Sequence, residues 1–152
     1  MAEAPLADNP LADWSGHLFN VGRTQYIILT NTASLYTCVM QGKGNPTTDD
    51  YIRNVLSTLR DLMADDGLQL GYRKHIAPYC QPVIFAKPLN RSVIGSMNDL
   101  IRFATDWLED GKAASEVGYQ LNAIPFSALV DSEGKNYAYP KDVFRHLIDS
   151  QP

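Results

Sequence analysis

Between residues 14 and 40 the apolar, aromatic and β-branched residues fall into three short runs, HLFNV, QYIILT and SLYTCVM, separated by Gly22-Arg23-Thr24 and by Asn31-Thr32-Ala33. Runs of these residue types bounded by turn formers predict an antiparallel three-strand meander. Glycine serves the first turn. In the second, the Asn31 side chain can close an Asx-turn and tolerates left-handed dihedrals, so Asn31 reads as a turn former rather than a ligand.

After residue 46 the period changes. Thr47 and Asp50 stand in a capping-box-like arrangement, and apolar residues then recur at Tyr51, Ile52, Val55, Leu56, Leu59, Leu62 and Met63, with Gly67 available as the stop. That spacing predicts a long amphipathic helix. From Gly71 to Pro82 no period holds, and the chain reads as loop with a short strand near Leu68–Tyr72; Val83-Ile84-Phe85-Ala86 reads as a further strand added to the meander.

A second long helix is predicted from residue 90 to just before Gly111. At about 100° per residue, Val93, Ile94, Met97, Leu100, Ile101, Ala104, Trp107 and Leu108 form one arc, and Arg91, Ser92, Gly95, Ser96, Asn98, Asp99, Arg102 and Phe103 fill the other. A short helix over Ala113–Leu121 follows, and a last helix opens at Pro140, where a missing N–H costs nothing. The expected fold class is α+β: a small antiparallel sheet with one face covered by the two long helices and the last helix.

Composition sharpens this picture. The 152 residues are 45% hydrophobic and 20% charged, the usage of a chain that folds. Residues 1–12, with prolines at 5 and 10, read as a flexible leader, and 13–150 as a single domain with order beginning near Trp14. No basic n-region with an apolar core opens the chain, and no aliphatic run approaches the ~20 residues of a membrane span. A soluble, cytoplasmic protein is expected. Cys38 and Cys80, the only cysteines, lack a C-x-x-C pattern and read as buried small hydrophobes. A net charge of −4 argues against generic nucleic-acid binding.

The densest motif is NRSVIGSMNDL, residues 90–100. Together with Trp14, Leu18-Phe19, Arg23, the TNTASLY turn, LNAIPFSAL and YPKDVF, it resembles the bacterial family of domains of unknown function DUF6933, over roughly residues 14 to 148. The sequence departs from short members in its acidic, proline-containing leader and in the DSEGKN insertion before Tyr137. The resemblance carries over no catalytic residue, cofactor or partner.

Two readings of the motif stand side by side. In the structural one, Ser92 or Asn90 caps the helix, Gly95 lets another backbone approach, and Asp99 suits the helix dipole. In the functional one, Arg91, Gly95, Asn98 and Arg102 line a stripe at a helix start, where free N–H and guanidinium groups favour an anion. Phe103, aromatic on a polar arc, points to a partner or another part of this chain covering that face. Arg23, at a hairpin tip, is either a solvated turn residue or an arm reaching toward the same helix. The candidate site residues are therefore Arg23, Asn90, Arg91, Ser92, Gly95, Ser96, Asn98, Asp99, Arg102 and Phe103.

Neither metal nor cofactor is expected. His17, His75 and His146 have no ligand at metal-site spacing, and the chain has no G-x-S-x-G, Walker A or G-x-G-x-x-G. The leading expectation is a non-enzymatic binding module that uses the polar face of the 91–110 helix with the Arg23 turn, its ligand a protein. The second is a small-anion binder or enzyme with a pocket at Arg91–Asp99. A third, a nucleic-acid-associated protein, requires Arg23, Arg73, Lys74, Arg91 and Arg102 to converge.

Overall fold

The computed structural model of the protein describes residues 10–42, 47–77, 91–130 and 136–150. Its architecture is α+β. The meander forms as predicted: β1 (Trp14–Val21), β2 (Thr24–Asn31) and β3 (Thr37–Gln41) pair antiparallel in the order β1-β2-β3. The first turn is a two-residue hairpin closed by Val21 and Thr24, with Gly22 at φ +61°. Glycine at the first central position is what such a hairpin requires to match strand twist.

β3 starts later than the SLYTCVM run suggests, because Ser34–Tyr36 belong to the turn. Asn31 organises that turn from a fully buried position: its Oδ1 accepts from Ser34 N (3.0 Å) and Ser34 Oγ (2.7 Å). Its Nδ2 donates to Pro10 O (2.9 Å) and Asp13 O (3.2 Å). Asn31 thus ties the turn to the residues ahead of β1, where Pro10–Ala12 form a helical turn with Leu11 fully buried. Packed structure begins before Trp14, within the stretch expected to be a flexible leader. The Trp14 indole N–H donates to Leu11 O (2.7 Å). Leu35 takes φ +61° in this turn and buries its side chain, so apolar burial offsets a dihedral that non-glycine residues disfavour.

Helix α1 (Thr48–Asp65) has the predicted cap. Thr47 Oγ1 accepts from Asp50 N at 3.1 Å and donates to Asp50 Oδ2 at 2.8 Å. It ends in a Schellman motif, with Gly67 at φ +75°, Leu68 N donating to Met63 O (2.6 Å) and Gly67 N to Ala64 O (3.0 Å). The strand expected near Leu68–Tyr72 is instead helical: α2 (Gln69–Gly71) passes into a π-turn at Tyr72–Ile76. A helical turn pairs its backbone locally, as in Tyr72 N to Leu68 O (3.1 Å), and needs no neighbouring strand. Gly71 also sits where a Cβ would lie 2.8 Å from Ile148 Cδ1. The strand expected at Val83–Ala86 falls outside the described residues.

Helix α3 (Arg91–Glu109) closes on a second Schellman motif, with Gly111 at φ +94°, Gly111 N bonded to Leu108 O and Lys112 N to Trp107 O, both 3.1 Å. Helix α4 (Ala114–Leu121) follows. The SALV segment forms β4 (Phe126–Val130), which pairs with β5 (Asn136–Ala138) in a separate two-stranded sheet, and α5 (Pro140–Asp149) begins on Pro140.

The helices do not share one face of the sheet. Ile28 and Val39 pack with Leu100, Ala104, Val117 and Leu121 of α3 and α4. Ile27, Cys38 and Met40 pack with Val55, Leu59, Met63, Phe144 and Ile148 of α1 and α5. β2 and β3 form a central layer buried on both sides, with β1 at its more exposed edge. Continuous apolar runs such as Tyr26-Ile27-Ile28-Leu29, lacking the alternation of a half-solvated strand, are the sequence trace of this.

The outer edge of β3 is sealed. Thr37 turns its N–H and C=O away from β2, and the buried Asn122 meets both: Oδ1 accepts from Thr37 N (2.8 Å) and Nδ2 donates to Thr37 O (2.9 Å). Gly118 lets α4 close on this edge, since a Cβ there would lie 3.3 Å from Val39 N. Asn122→Leu keeps the number and branching of the side-chain heavy atoms but removes both polar ones and strands both Thr37 groups, so urea unfolding should show a loss of about 2–5 kcal/mol. A change under about 0.5 kcal/mol, the surface-substitution range, would show that the clamp is dispensable.

Candidate functional site

The inner stripe of α3 is fixed by burial of Met97, Leu100, Ala104 and Leu108. That leaves Ile94, Gly95, Asn98, Arg102, Phe103, Asp106 and Glu109 exposed, with Asp99 partly so. At about 100° per residue these residues span roughly half the helix circumference. Ile94 forms one margin, Phe103 the other, and Asn98, Arg102 and Gly95 lie between. Ile94, placed by periodicity on the core arc, is 39% exposed, and Phe103 is 36% exposed. The face is polar with apolar margins.

Two candidate residues fall elsewhere. Ser96 is buried, one turn before Leu100 on the same stripe, and so leaves the polar arc. Gly95 meets no described atom within 4 Å of where a Cβ would sit, so no described backbone approaches it closely. Asn90 and the side chains of Arg91 and Ser92 lie outside the described residues. Asp99 and Arg102 pair through Oδ1 and Nη2 at 2.8 Å across one turn, both exposed. Such a pair contributes about 0–1 kcal/mol, and it offsets the guanidinium charge an incoming anion would seek. Phe103 rests against Trp107 with ring centroids 6.2 Å apart, which holds the ring in place without covering it.

Arg23 is exposed at the β1–β2 hairpin tip and makes no ion pair among the described residues. Arg73 and Lys74 are exposed on the π-turn, whose Ile76 packs into the core on the α1/α5 side of the sheet, whereas Arg102 stands on the helix covering the other side. These cations therefore do not form one strip. No helix among the described residues is long and apolar enough to cross a membrane.

The strongest electrostatic perturbation lies away from α3, in residues the sequence did not single out. Tyr36 is fully buried, stacked on Phe144 with centroids 4.3 Å apart, and its hydroxyl donates to Asp66 Oδ2 at 2.5 Å. Burial first, and the Asp66 carboxylate second, push the phenol far above its ordinary 10.0. Burial also raises the Asp66 carboxyl, against the opposing pull of the Tyr36 hydrogen bond and the nearby Lys141 and Arg145 charges. Arg145 Nη2 donates to Asp66 O at 3.1 Å, so the group joins the end of α1 to α5. Cys38, with its thiol pushed up to about 12 by burial, is no nucleophile at neutral pH.

Folded Tyr36 keeps its proton where the unfolded chain releases it. Its contribution is therefore complete below the ordinary phenol value of 10.0 and is lost as pH rises beyond it. In urea titrations above about pH 10, the wild type should lose stability more steeply than Tyr36→Phe. Parallel curves would contradict the assignment.

The family described as a domain of unknown function, DUF6933, matches residues 1–143. The match takes in the leader as well as the α3 motif. No curated protein and no solved structure matches the chain.

Proposed function

The chain belongs to the DUF6933 family, and we propose that it is a non-enzymatic binding module that meets another protein through the outer face of α3. One observation carries this reading: a rigidly mounted, exposed helix face with Ile94 and Phe103 at its margins and Asn98 and Arg102 at its centre. Aromatic residues and arginine are enriched where proteins meet, and fixed aromatic rings lose little entropy on contact. The Asp99–Arg102 pair supports a protein surface over an anion pocket, because the guanidinium already has a carboxylate partner. The proposed setting is the cytoplasm, in keeping with the two lone cysteines.

The test compares proteins recovered from extracts of the native host by the wild type, Ile94→Ala and Phe103→Ala, after unfolding curves establish that all three fold. A defined partner recovered by the wild type and depleted about tenfold or more by Phe103→Ala is the expected result, since truncating an aromatic hot spot costs ~2 kcal/mol or more. Identical recovery by all three would remove α3 from the account. A thermal-shift arm with inorganic phosphate separates the anion reading: stabilisation of about 2.7 kcal/mol at 100 times Kd, lost in Arg102→Ala, would replace the protein-binding proposal.

A further inference from the structure

The two edges of the β1-β2-β3 sheet are treated differently. α4 and Asn122 seal β3, whereas nothing among the described residues pairs with the outer edge of β1. The phase of that edge is set by Asp13 O, which accepts from Thr32 N at 3.0 Å. Backbone direction alternates along a strand, so Gly16, Leu18 and Asn20 aim their N–H and C=O groups outward.

Proteins usually blunt such an edge with a charge, a proline or a bulge. Trp14–Val21 carries no charged residue and no proline, and its register with β2 runs unbroken from Trp14↔Asn31 to Val21↔Thr24. Leu18, at the centre of the edge, is 54% exposed. The nearest charges in sequence are Asp13 at one end and Arg23 at the other. An antiparallel copy of the same strand sets each against its opposite, whereas a parallel copy sets like against like.

We propose that β1 is the interface of a symmetric homodimer in which two β1 strands pair antiparallel about Leu18, joining the two sheets into one. Gly16 of each copy then lies opposite Asn20 of the other, and Leu18 opposite Leu18, which gives about six backbone hydrogen bonds from outward-facing groups. Leu18 covers its own counterpart on one face. His17 stands across from Phe19 on the other, an aromatic cross-strand pair. Asp13 faces Arg23 at both ends, and Arg23 acquires an ionic partner. The interface is isologous, so it closes at two chains.

Analytical ultracentrifugation from about 1 μM to about 1 mM tests this. The wild type should move with concentration to twice the 16.9 kDa chain mass. Leu18→Lys, at an exposed position that the fold does not need, should raise the dissociation constant at least tenfold. Asp13→Arg alone and Arg23→Asp alone each place like charges at both ends and should weaken association. Mixing the two variants restores both ion pairs and should recover a dimer containing one of each. A wild type that stays at single-chain mass throughout would overturn the proposal. So would a dimer that Leu18→Lys leaves intact, or charge variants that do not recover on mixing.

Discussion

Asn122 and Thr37, 85 residues apart, exchange two hydrogen bonds across the edge of β3, and much of the architecture follows from the need for them. β2 and β3 are buried on both faces, so a backbone group left unpaired in β3 has no solvent to turn to. An orphaned buried amide or carbonyl costs about 1–3 kcal/mol. β2 resolves the demand with a strand on each side. β3 has one strand neighbour, and at Thr37 the amide side chain supplies the two partners that a further strand would give. Holding Asn122 in place requires α4 to lie close against β3, and that requires Gly118. The same logic operates at Asn31, where a buried amide takes up the Ser34 groups and the carbonyls of Pro10 and Asp13, so that turn, leader end and sheet lock together.

What the sequence disclosed depended on how local each determinant is. The meander, α1 with its Thr47 cap, α3, α4 and the Pro140 start of α5 are encoded within one or two turns of chain, and they form close to where periodicity puts them. Gly67 and Gly111 terminate helices by dihedral freedom, which is equally local. The arrangement of layers was not legible in this way. Which face a helix covers depends on contacts between elements far apart in sequence, and only the unalternating Ile27-Ile28 and Cys38-Val39 runs hinted at burial on both sides. The helical course of Gln69–Ile76 escaped detection because the segment has no apolar period, and the close approach of Gly71 to Ile148 of α5 is not visible locally. Asn122 lies just past the predicted Ala113–Leu121 helix, and nothing local marks it as the partner of a strand 85 residues away.

The candidate site divides along the same line. Periodicity identified the outer face of α3, and Gly95, Asn98, Asp99, Arg102 and Phe103 are on it or at its margin. It could not distinguish Ile94 from the core stripe or Ser96 from the polar one, because both lie near a boundary where a small rotation of the helix decides burial. Arg23 was noted for its place at a hairpin tip. Its proposed role emerges only with the open edge of β1, a property of strand order rather than of any residue. The chain thus presents two surfaces of different kinds, a side-chain face on α3 and a backbone edge on β1.

Amide hydrogen exchange, in protein dilute enough to consist of single chains, addresses the contrast between the two edges directly. If Asn122 completes the ladder of β3, the Thr37 amide should exchange only through global unfolding, while the outward Leu18 amide of β1 exchanges through local fluctuation, orders of magnitude faster. Thr37 and Leu18 exchanging at similar rates would contradict the account.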